Sequence, residues 1–120
     1  MTHEHIKSLD ELIEVVEAGD LTDVNRKLGA MFAADHSLAW DWVSNVNSAF
    51  RGSLDAAKAL HEALLPGWFP GMSQNIHYGH WYVWVQAKAT LKHFSAEDDS
   101  PARAWLIAIL KAYRAQMEAS

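Results

Sequence analysis

Hydrophobic positions along this chain change period twice, from helical spacing to two and back, and those changes organise the fold. Leu9, Leu12, Ile13 and Val16 recur at helical spacing, as do Val24, Leu28, Met31 and Phe32. Ser8-Leu9-Asp10-Glu11 fits a capping box, so the spacing predicts a first helix from Ser8 to near Gly19. A second helix is expected from Asp20 or Thr22, with Arg26 and Lys27 facing away from its apolar side and Asp35-His36-Ser37 ending it. Residues 38–50 are ambiguous between a short strand and a helix, and we read them as irregular or short helical structure. Ser53 then caps a helix whose inward side is Leu54, Ala57, Leu60, His61 and Leu64, stopped by Pro66-Gly67.

Beyond that point the period becomes two. Residues 68–72 read as an edge strand, because Pro70 is tolerated where no ladder hydrogen bond is needed. Residues 80–88 read as a stronger strand, with Trp81, Val83 and Val85 on one side and Tyr82, Trp84 and Gln86 on the other. Residues 90–94 are expected to form one more strand or to continue this one past a bend, and Glu97-Asp98-Asp99 a solvated loop. Ser100-Pro101 opens a last helix, with Leu106, Ile109, Leu110, Tyr113 and Met117 as its buried stripe. The fold class that follows is α+β: a small antiparallel sheet layered between helices, in an α/β/α sandwich-like arrangement. Residues 1–120 are expected to form a single domain, with residues 1–6 mobile.

Half of the 120 residues are hydrophobic, enough for one core without staples. The absence of cysteine excludes a disulfide framework, thiolate metal sites and cysteine nucleophiles. The N-terminus lacks a basic region followed by an apolar run, and the longest apolar run, 104–110, falls far short of the roughly 20 residues that span a bilayer. The expectation is a cytoplasmic protein with no membrane partner. A formal net charge of −5 weighs against nucleic acid as a partner.

Several stretches together resemble small bacteriophage and prophage proteins that carry a phage ABA sandwich domain. They are Ser53-Leu54-Asp55-Ala56-Ala57, Pro66-Gly67-Trp68, Gly79-His80-Trp81-Tyr82-Val83-Trp84-Val85 and Ser100-Pro101-Ala102-Arg103-Ala104. The likeness covers most of the chain and rests on caps, a tryptophan turn and a strand pattern; residues 35–50 match no part of it, and Trp105 stands where a small residue is expected. The family has no established activity, so the resemblance implies a sheet layered with helices and a setting in a bacterial host cell, and no catalytic residues.

Seven histidines raise metal binding, with His77, His80 and His93 as the best cluster, though an i, i+3 pair beside a glycine is a weak spacing. His61 with Glu62, and Asp41 beside Trp40 and Trp42, are nameable acid–base pairs, but no serine elbow, phosphate loop or dinucleotide fingerprint accompanies them. Enzymatic activity and a cofactor are therefore not expected. Six tryptophans are a heavy load for this length, and tryptophan anchors interfaces as well as cores. Trp81, Trp84 and Trp105 are assigned to the core. Trp40, Trp42, Phe50, Trp68 and Phe69 are the candidates for an exposed partner-binding patch. The function expected is that of a phage-encoded accessory protein that binds a host or phage protein, inhibiting a host or antiviral-defence component, and it could also form a homo-oligomer. The alternatives are a phage structural or assembly component, or a protein that sequesters a small ligand such as a nucleotide.

Overall fold

The computed structural model describes residues 3–34, 40–75, 77 and 79–119, with the side chains of 3, 4, 32–34 and 40 outside that description. Helix α1 (His3–Ala18) starts five residues ahead of the capping-box serine. Ile6 extends the stripe of Leu9 and Ile13 by one turn and packs on the core, so Ser8 and Glu11 lie inside the helix. Residues 3–6, expected to be mobile, therefore lie in its first turn. Gly19 then takes a positive φ of 79° and closes the helix. Helix α2 (Leu21–Ala34) is capped by Asp20, whose Oδ1 accepts from the Asp23 amide at 3.1 Å. The stop expected at 35–37 lies outside the described residues.

The ambiguous segment is helix α3 (Trp40–Phe50). Trp42, Val43, Val46, Ala49 and Phe50 are all buried, and their spacing of one, four, seven and eight fits a helical face and not a strand. Helix α4 (Leu54–Leu64) begins where expected, with the Ser53 hydroxyl accepting from the Ala56 amide at 3.1 Å. Helix α5 (Pro101–Ala119) also starts as read from the sequence, with Ser100 Oγ accepting from the Arg103 amide at 3.2 Å.

Between them lie β1 (Trp68–Gln74), β2 (Trp81–Ala87) and β3 (His93–Asp98), an antiparallel sheet in the order β1-β2-β3. The third strand runs later than expected: Glu97 and Asp98 belong to it, paired with Tyr82 and Trp81, and only Asp99 of the acidic run lies beyond. The β2–β3 turn places Leu91 at φ 57°, the single non-glycine positive φ among the described residues.

The architecture is α+β, with helices packed on the sheet. Helix α5 lies against β2 and β3 and also touches α1, α3 and α4, so it runs through the middle of the core. Leu106, Ile109 and Leu110 are fully buried, and Ala104, Ala108 and Ala112 let neighbouring backbones come close. Strand alternation sets two faces. The inner face carries Val83, Val85, Ala87 and Ala96 toward α5. The outer face carries Phe69, Gly71 and Ser73 of β1, Tyr82, Trp84 and Gln86 of β2, and His93, Ser95 and Glu97 of β3.

Candidate interaction surface

The outer face is an aromatic surface with polar surroundings. Tyr82 and Trp84, two residues apart on the central strand, sit with ring centroids 5.6 Å apart and planes tilted by 35°. The Trp84 indole leans across Gly71 of β1, in the space a Cβ at that position would occupy. Glycine is therefore required at 71 for packing: the indole fills the gap and carries the aromatic surface toward the edge of the sheet. Phe69 lies on the same face and is 38% exposed. Tyr82, Trp84 and Gln86 are half-buried, while Ser73, His93 and Glu97 are exposed.

Strand β1 adds an open edge. It extends past the cover of α5, so its inner-face residues Pro70 and Met72 are exposed as well as Phe69. An edge strand open on both faces presents unpaired backbone groups, and Pro70 removes one donor from them.

The sequence-predicted patch is divided by the fold. Trp42 and Phe50 are buried in the helical core and do not join Phe69 at the surface, because both fall on the inward face of α3. Trp68 is half-buried on the inner face, 6.2 Å from the Phe94 ring. The Trp40 side chain lies outside the described residues. Trp84, assigned to the core with Trp81 and Trp105, instead belongs to the open outer face, since its side points away from Val83 and Val85. Of the five candidates, Phe69 alone is both described and well exposed; Tyr82 and Trp84 were missed, although their alternation against Val83 and Val85 was the available signal.

The histidine cluster is also separated. His80 precedes the pair Trp81 and Asp98 at one end of β2, whereas His93 faces Gln86 near the other. Five strand positions between 81 and 86 span roughly 17 Å, beyond the reach of a shared ion. His80 Nδ1 lies 2.9 Å from Asp99 Oδ1 on the exposed rim, and the His77 amide donates to Asn75 Oδ1 at 3.0 Å. Among the described residues no group of three metal-ligating side chains converges.

His61 is buried, and its bonds explain why. Trp105 Nε1–H donates to Nδ1 at 3.2 Å, and indole nitrogen can only donate, so the neutral ring carries its hydrogen on Nε2 and donates to the Trp68 carbonyl 3.0 Å away. The ring ties α4, α5 and the start of β1 together. Both nitrogens are occupied, and Glu62, the next residue around α4, is exposed to solvent, so the pair suggested by the sequence is not assembled.

A cleft of about 350 Å³ opens at the far end of the sheet, lined by Trp68, Ala87, Phe94, Ala112 and Ala115 with Lys92 at its side. Comparison with protein-family models, with curated proteins and with solved structures returns no match.

Proposed function

We propose that this chain acts by non-enzymatic binding and that the outer face of the sheet, with the free edge of β1, is the surface it uses. The observation that carries this reading is the set of Phe69, Tyr82 and Trp84 on a face that the helices of the described residues leave open. Grouped aromatics on an open face are a recurrent mark of interaction sites, and tyrosine and tryptophan are favoured anchors. In the bacteriophage setting that the resemblance implies, the partner is a host protein, an antiviral-defence component among them, and binding inhibits it by occlusion. A second reading is self-association or virion assembly, favoured by the uncovered β1 edge with Met72 and Phe69 on its two sides.

Affinity capture from bacterial lysate with the full chain and a Phe69→Ser variant tests the reading, together with cross-linking to map the contact. Recovery of one protein, cross-linked within 69–74 or 82–86 and lost in the variant at unchanged melting temperature, is the expected result. Capture that survives Phe69→Ser and cross-links elsewhere overturns it. A concentration-dependent dimer that Phe69→Ser and Met72→Ser dissolve selects the self-association reading.

A further inference from the structure

The binding reading above leaves the partner chemistry open, and the charges around the outer face select it. Among its nine positions, 69, 71, 73, 82, 84, 86, 93, 95 and 97, there is no lysine or arginine, and one carboxylate, that of Glu97. Glu97 is exposed and stands directly opposite Tyr82 in the β2–β3 register, on the same face. Directly paired residues place their Cβ atoms about 5 Å apart, so the carboxylate borders the tyrosine ring. The arginines that touch the sheet or α5 are committed elsewhere: Arg103 donates to the Phe50 carbonyl at 3.3 Å, and Arg114 pairs with Asp10 at 2.9 Å.

A phosphodiester strand stacking its bases here would find His93, opposite Gln86, as the one basic side chain among these positions and would meet Glu97 beside Tyr82, on a chain of net charge −5. A neutral ligand would use the rings and gain nothing from the carboxylate. A guanidinium uses both, lying flat on an aromatic ring while its N–H groups donate to a carboxylate. The chain itself contains such a stack, Arg103 over Phe50 at 4.3 Å from the ring centroid. The lean of Trp84 over Gly71 extends the aromatic surface toward the open edge of β1, where an extended partner segment has room to lie.

We infer that the outer face receives an arginine side chain of a partner protein, stacked on Tyr82 and Trp84 and paired with Glu97. The inference rests on the binding reading and adds the chemistry of the group bound.

The test is a titration of the full chain with an acetylated, amidated peptide bearing arginine at alternate positions. A citrulline peptide of the same shape and an oligothymidylate serve as comparisons, and the Trp84 indole N–H resonance is the readout. A saturable shift is expected, with affinity about tenfold lower for citrulline and about tenfold lower for Glu97→Gln. Glu97 is exposed, so that variant keeps its fold, and an unchanged melting curve verifies this. Equal affinity for citrulline, unchanged affinity in Glu97→Gln, no saturable shift, or saturation by oligothymidylate instead each overturns the arginine assignment. If the captured protein of the preceding section still depends on Phe69 while the peptide fails, the arginine chemistry alone falls; if capture fails too, the binding reading falls with it.

Discussion

At the scale of single residues, His61 shows how a titratable side chain can be wholly structural. Its two ring nitrogens join three elements, and replacing it leaves the buried Trp105 N–H and the part-buried Trp68 carbonyl without these partners. His61→Phe keeps an aromatic ring there but a larger one, so the expected loss of about 1–3 kcal/mol in urea unfolding combines the orphaned polar groups with some overpacking. Trp105→Phe removes the same donor, and the two single losses should sum to more than the loss of the double variant. Strict additivity would mean that the bond carries no stability. Glu11 gives a pH-dependent counterpart: its hydrogen bond to Lys27, and then the ammonium charge, hold its carboxyl below the usual range. A depressed folded value adds stability above the unfolded value of about 4.3, and that contribution disappears as pH falls through the folded value. Glu11→Gln should therefore flatten the acid limb of the stability curve between those values and leave its slope at neutral pH unchanged.

At the scale of elements, capping chemistry and period told different amounts. Ser53 and Ser100-Pro101 marked two helix starts because a cap is a local hydrogen bond to an amide two or three residues on. Ser8 misled for the same reason: its motif is local, whereas α1 is extended by Ile6 packing on the core, which is tertiary. In α3 the tryptophans and Val43 fit a strand or a helix, the helical reading is the one the structure has, and the face formed by Val46, Ala49 and Phe50 decides it. The alternation of β2 was legible, yet which side would be covered was not, since both sides are apolar and cover depends on where α5 lies. The sequence pattern therefore does not separate Tyr82 and Trp84, which are on the open face, from Trp42 and Phe50, which are in the core. Gly71 belongs to this scale as well, because it joins β1 to the indole of β2. Gly71→Ala should expel Trp84 from its seat and shift the tryptophan emission, at a cost below the roughly 1–3 kcal/mol of overpacking a closed core because the indole can swing toward solvent. An unchanged emission spectrum would show that Trp84 does not rest there.

At the scale of the whole molecule, stability is distributed unevenly between the centre and the sheet edge. Helix α5 meets three helices and two strands and is buried continuously from 104 to 110, so its amides can exchange with solvent only when the core opens. Strand β1 is held mainly by its pairing to β2, is exposed on both faces from Phe69 to Pro70 and from Met72 to Gln74, and among the described residues has no strand beyond it. Native-state hydrogen exchange should therefore find the slowest amides in α5, at the free energy of global unfolding, and markedly faster ones in β1 through local opening. The difference bears on function, because an edge that opens locally can re-form against an added segment at small cost to the core. A bound partner should slow β1 and leave the α5 amides nearly unchanged. Protection rising equally in both would place binding at the core, and equal exchange in the free protein would remove the physical basis for treating β1 as an available edge.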